Sequence, residues 1–171
     1  MNAPTLHTAR LTLGPATAAH AEAFIAFCAS DESRFLGGPA EPRDAWEGVA
    51  IAAGLWALRG YGPFWVAESA TGAPVGRVGL YYPIWRTEPE LAWLVYPAYQ
   101  QRGFGYEGAI AARDWAYATL GLAPLVSLID AENTASIRLA EKLGAVCEGP
   151  HSPDGGHPTF RWRHPAREVL Q

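Results

Sequence analysis

The sequence predicts a mixed α/β sheet flanked by helices, on three observations. The first half carries segments that alternate apolar and polar residues, as half-buried strands do. In the second half, short apolar runs alternate with helix-period segments that end at glycine, the pattern of strand–helix–strand units. Finally, 49% of the 171 residues are hydrophobic and 18% charged, the composition of a chain that closes around a core. A length of 171 residues fits one domain, taken here as 1–171.

The elements follow in order. Leu6 to Leu13 alternates well enough for a strand. His20 to Ala29 reads as a short helix, and Asp44 to Leu58 as a second, broken by Arg59-Gly60-Tyr61-Gly62-Pro63. Phe64 to Glu68 and Val75 to Tyr82 are strands of an antiparallel hairpin around the turn 69–74. Pro83 to Pro89 is irregular, and Glu90 to Val95 is a strand again. Tyr106 to Leu120 has helical spacing, with Ala109, Ala112, Ala116 and Leu120 on one stripe and Gly121 as its stop. Leu125 to Ile129 is continuously apolar, as a buried parallel strand is. Asn133 to Leu143 is a helix ended by Gly144. Val146 to Glu148 and Thr159 to Arg163 are the last strands, on either side of a Pro/Gly/His-rich loop at 149–158. The sheet should be antiparallel early and parallel where strand–helix–strand units occur.

Several function classes drop out. A net charge of −4 offers no basic field for phosphates, which argues against nucleic acid as a partner. The same mild acidity tolerates a cationic acceptor. Two cysteines, Cys28 and Cys147, stand far apart and outside any metal spacing, as reduced thiols of a cytosolic protein do. Residues 1–10 lack the basic start and apolar run of a signal peptide, and no stretch approaches the ~20 apolar residues of a membrane span. The expectation is a cytoplasmic protein that neither enters a membrane nor binds a metal. His151, His157 and His164 lack metal-ligand spacing and read as solvated or cleft-edge residues.

The central chemical signal is Gln100-Gln101-Arg102-Gly103-Phe104-Gly105, directly after a strand and before a helix. A glycine-rich turn opening a helix aims several unpaired backbone N–H groups one way, at the positive end of the helix dipole, and so suits a phosphate. It is neither a Walker A loop nor a G-x-G-x-x-G fingerprint. Alone it is also compatible with a plain loop.

The run Glu90-Leu91-Ala92-Trp93-Leu94-Val95-Tyr96-Pro97-Ala98-Tyr99-Gln100-Gln101-Arg102-Gly103-Phe104-Gly105 resembles the fourth strand and pyrophosphate loop of the GNAT N-acetyltransferases. Asn133-Thr134-Ala135-Ser136-Ile137-Arg138-Leu139-Ala140-Glu141-Lys142-Leu143-Gly144 resembles that family's Asn-x-x-(Ala/Ser)…Glu-Lys-Leu-Gly helix. The Asn-x-x-Ser form and the opening Thr8-Ala9-Arg10-Leu11-Thr12-Leu13 are similar to the branch of ribosomal-protein N-terminal acetyltransferases. The resemblance spans residues 8 to 163. It implies a central mixed sheet in which parallel strands 4 and 5 splay apart, and acetyl-coenzyme A as co-substrate.

It also implies roles. Backbone amides of Gln101, Arg102, Gly103, Phe104, Gly105 and Tyr106 would hold the pyrophosphate. Main-chain groups of Leu94 and Val95 would pair with pantetheine as an added strand, one N–H polarising the thioester carbonyl. Asn133 would touch the thioester end, or simply cap its helix. Ser136, one turn on, shares that face, as a ligand contact or a packing residue. Glu90 stands where many members place a base, and would otherwise be a solvated strand-edge residue. Tyr81, Tyr82 and Trp85 border the implied acceptor cleft, as an aromatic wall or as core. One departure stands out: the family's tyrosine, seven residues after the asparagine, is Ala140 here. Ser136 or water would then supply the leaving thiolate's proton. The implied reaction is direct acetyl transfer to a primary amine, of a small molecule or a peptide N-terminus. The rivals are a silent coenzyme A-binding module and an unrelated nucleotide-binding protein. A homodimer is a further possibility that family members raise.

Overall fold

A computed structural model describes residues 3–122, 124–152 and 158–166. Strands β1 (Leu6–His7) and β2 (Leu11–Gly14) form a hairpin where one continuous strand was expected. The break has a local cause: Thr8 accepts Leu11 N–H on its hydroxyl, and its own N–H reaches Leu11 C=O, which turns the chain. Helix α1 (Ala18–Cys28) starts two residues before its expected position because Thr17 caps it, accepting His20 N–H. Helix α2 (Pro42–Arg59) opens on proline, whose missing N–H costs nothing there, and closes on left-handed Gly60. Strands β3 (Pro63–Glu68), β4 (Pro74–Tyr81) and β5 (Glu90–Val95) then form an antiparallel meander. Helix α3 (Phe104–Trp115) ends in a wider π turn over Ala116–Leu120, so the expected helix to Leu120 changes its winding partway.

Strand β6 (Val126–Ile129), helix α4 (Thr134–Lys142), β7 (Val146–His151) and β8 (Thr159–Arg163) complete one sheet of order β1-β2-β3-β4-β5-β6-β8-β7. Among the described residues, only β5 and β6 pair in parallel. The strand–helix–strand unit β6–α4–β7 does not give a second parallel pair, because β8 folds back between them and pairs antiparallel with both. The expected mixed sheet therefore holds, with a single parallel contact.

Each face of the sheet is covered. The stripe Ala109, Ala112 and Ala116 is fully buried with Leu11, Leu13, Phe64, Leu80 and Leu91. Phe24, Phe27, Val49 and Ala52 of α1 and α2 pack with Trp65 and Tyr96 in a second cluster. A third, under α4, joins Ile129, Ala140, Ala145 and Trp162. Small alanines let α3 lie close to the strands, where dispersion contacts are dense. Among the described residues, no helix is long and apolar enough to cross a membrane.

Glycine is required where β4 meets β5. A Cβ at Gly76 would stand 2.0 Å from the Leu94 carbonyl oxygen, a backbone atom that cannot move without breaking the ladder. Gly54, in α2, has open space within 4 Å. Gly76→Ala is therefore expected to lose at least about 2 kcal/mol in urea unfolding, by forced overpacking. Gly54→Ala is expected to gain roughly 0.5–1 kcal/mol from helix propensity. Equal effects at the two sites would contradict the packing described.

Candidate active site

Gln101 and Gly103 both take left-handed backbone, with φ of 60° and 81°. Such residues turn successive N–H groups toward one concave face, an anion-binding arrangement. The first helical bond of α3 is from Glu107 N–H to Gly103 C=O, 3.1 Å. The amides of Phe104, Gly105 and Tyr106 thus leave the helix start without an intrahelical acceptor. Gly103 is demanded by its φ. Gly105 serves packing: a Cβ there would meet Leu139 Cδ2 at 3.2 Å and Val95 Cγ2 at 3.4 Å, so its absence lets α4 and β5 approach.

This loop is clamped from the N-terminal hairpin. The Arg10 backbone N–H and its Nε both donate to Glu107, at 2.8 Å each, and its Nη1 donates to Arg102 C=O at 2.9 Å. Thr8 adds a hydroxyl bond to Glu107 at 2.6 Å. Burial raises the Glu107 carboxyl, but the bonds from Thr8 and Arg10 outweigh it and hold the group below the usual range. Arg102 pairs with Glu68 at 2.5 Å and, like Arg10, lies over the Phe104 ring. An adjoining cavity of about 450 Å³ is lined by Arg10, Tyr106 and Lys142 among others. Arg10 and Glu107 were not singled out from sequence, since nothing there marks two residues 97 apart as partners.

At the other end of β5 the sheet parts. β5 and β6 share only the Glu90–Val126 pair before they diverge. Main-chain groups alternate sides along a strand. Tyr96 N–H bonds to Val75 on the β4 side, whereas Leu91 C=O is met from the β6 side. Hence Leu91, Trp93 and Val95 face the opening, and Leu94 turns its main chain to β4. Val95 C=O accepts the Gln100 side-chain amide at 3.0 Å. Trp93, overlooked as a main-chain contact in the sequence, presents its N–H and C=O to the open edge.

The parting is splinted by side chains. Ser127 donates to Leu91 C=O at 2.6 Å, taking the place of a ladder bond. That uses the hydroxyl's one hydrogen, so His164 Nε2 must donate to Ser127 Oγ across 2.8 Å. His164 is thus the Nε2–H tautomer and is buried, where a solvated or cleft-edge histidine was expected. Burial, together with Arg113, pushes it down to about 4, keeping it neutral. His151 lines the cavity described next, and His157 lies outside the described residues. No metal-binding group of His, Cys, Asp or Glu occurs among the described residues.

Glu90 opens β5 at the paired end from which the two strands part. It is buried, not a solvated edge residue, and lines a cavity of about 150 Å³ with Trp85, Arg86, Glu88, His151 and Arg161. Burial raises its carboxyl to about 7, against the downward pull of Arg86 at 3.9 Å and of the Leu128 backbone. Tyr81 is its cross-strand partner on β4. Tyr82 instead stacks on Tyr61, centroids 6.3 Å apart, and is not among the residues lining the cavity.

On α4, Asn133 caps the helix by accepting Ser136 N–H on Oδ1, 3.1 Å. The Ser136 hydroxyl accepts from the Trp93 indole N–H at 3.1 Å, across the parting. Ala140 is 0% exposed inside the third cluster. A tyrosine there would overpack rather than reach freely into the cleft.

A family model described as an acetyltransferase (GNAT) domain matches residues 10–146. An acetyltransferase from Agrobacterium tumefaciens is similar at 33% identity over 96% of each chain, with a TM-score of 0.88. A spermidine N-acetyltransferase from Vibrio cholerae, solved with CoA and spermine, shares the fold at 18% identity over 96% of this chain and 100% of its own, with a TM-score of 0.73. A ribosomal-protein-S5-alanine acetyltransferase from Vibrio fischeri shares it at 13% identity over 94% of each, with a TM-score of 0.69. With a phosphate-type loop, a parted sheet and a matched family model over most of its length, the chain belongs to the GNAT acetyltransferases.

Proposed function

We propose that this chain moves an acetyl group from acetyl-CoA to the α-amine of a peptide or small molecule, by direct transfer in a ternary complex. One arrangement carries the reading. An amide-lined helix start and a carboxylate of near-neutral pKa stand at opposite ends of the same open strand edge. The pyrophosphate belongs at 101–106, pantetheine along Val95 and Trp93, and the acceptor at Glu90.

Glu90 accepts a proton from the acceptor ammonium, directly or through water. The amine nitrogen then attacks the thioester carbon and gives up its second proton to water, while the Trp93 N–H is placed to receive the charge growing on oxygen. The C–S bond breaks and its electron pair leaves with sulfur. A thiol of pKa about 8.5 is a tolerable leaving group, so Ala140 does not bar the reaction.

The acceptor class follows from proton affinity and charge. An α-amine titrates near 7.7–8.0 and a lysine amine near 10.4, so a base of about 7 is matched to the former. Glu88 is already bound by Arg161 and Arg163, which leaves the cavity short of free carboxylates for a polycation. Thiol release measured across a panel of peptides, amino acids and polyamines tests this, and polyamines as the best acceptors would overturn it.

Further outcomes are expected at Glu90 and Arg10. Because its pKa is raised to about 7, Glu90 is protonated and idle below that pH, so kcat/KM should climb as pH rises through 7. Glu90→Gln should lower turnover ~10²–10⁴-fold and flatten that limb. Above pH 7 it should also raise the melting temperature, since the folded state no longer buries a charge that the unfolded chain would solvate. Arg10→Ala should raise KM for acetyl-CoA roughly tenfold with little change in kcat, because it frees the loop that binds without touching the reacting atoms. Steady-state kinetics against both substrates checks the rate effects, and thermal unfolding above pH 7 checks the stability effect.

A further inference from the structure

We propose that Trp93 is a positioning residue that fixes Ser136 as a hydrogen-bond donor to the sulfur of the bound coenzyme. This rests on the acetyl-CoA reading above and deepens it. An indole N–H can only donate, so the 3.1 Å contact has one direction: Trp93 gives and Ser136 Oγ receives. A hydroxyl has a single hydrogen. With one lone pair taken by the indole, and with no hydrogen bond given by that hydroxyl among the described residues, the Ser136 O–H is free to serve a ligand. The serine's backbone is fixed as well, through its N–H to Asn133.

The indole is held for this task. It packs against both the α3 cluster and the α4 cluster, bridging the parting. It meets the His164 ring edge-on, 6.2 Å between centroids at 89°. Trp93 also faces the open edge with its own main chain. One residue thus addresses both ends of a thioester: its backbone N–H at the oxygen, and Ser136, through the ring, at the sulfur. Ala140 fits the same design, since it is small and enclosed in the cluster that the indole borders. In the reaction the C–S bond breaks and sulfur takes the electron pair. Ser136 keeps its proton and stabilises the thiolate by hydrogen bonding, and the thiol proton arrives afterwards from water or protonated Glu90.

The test reads the thiol of enzyme-bound coenzyme A. Its pKa is followed by thiolate absorbance and by the pH dependence of calorimetric affinity, in wild type, Trp93→Phe, Ser136→Ala and the double variant. Phenylalanine keeps the ring packing and removes the N–H. Both single variants should raise the bound-thiol pKa by about 0.5–1 unit. The double variant should match Ser136→Ala, because Trp93 acts through the serine. At saturating acetyl-CoA, kcat should fall about three- to tenfold in each single variant, with KM changed less than about twofold. An unchanged thiol pKa in the single variants, even with a lowered melting temperature, would make Trp93 merely structural and overturn the proposal. Full additivity in the double variant would overturn it too. Absence of coenzyme A binding to wild type would overturn the acetyl-CoA reading and this inference together.

Discussion

The molecule depends on one interruption in its sheet. β5 and β6 agree for a single residue pair and then part. Any such gap leaves backbone donors and acceptors without partners, which is costly where water is excluded. The chain meets that cost at Leu91 with the Ser127 hydroxyl, backed by His164. Among the described residues no main-chain partner meets Trp93 at the open edge. The first measure keeps the sheet together, and the second leaves a strand edge open.

The two ends of that edge are prepared by opposite electrostatics. At the loop, free amides and a helix start favour negative charge, and Arg10 ties the loop to the first hairpin through Glu107. At Glu90, burial disfavours negative charge and raises the carboxyl to about 7. A carboxyl that would be ionised in water is kept buried with its proton affinity raised. That is the familiar exchange of local stability for reactivity.

Packing explains why these parts stay where they are. Alanines on α3 and the bare Gly105 bring helix α3, strand β5 and α4 within contact distance of one another. Gly76 does the same for β4 and β5, where any side chain would strike the Leu94 carbonyl. Trp93 spans what remains of the gap between clusters.

Much of this was legible in the sequence. Periodicity placed β5, α4 and the hairpin within a residue or two, since short-range spacing encodes which face is buried. The loop at 101–106 stood out as a glycine-rich turn opening a helix, whereas Glu90, Asn133 and Ser136 were marked by the family resemblance and not by any local pattern. What only the tertiary structure decided are the pairings between distant residues: Arg10 with Glu107, Trp93 with Ser136, and Ser127 with His164. It also decided that β8 lies between β6 and β7, and that His164 is buried. Local sequence fixes the direction and period of a side chain, whereas its partner, its burial and so its proton affinity belong to whatever the fold brings against it.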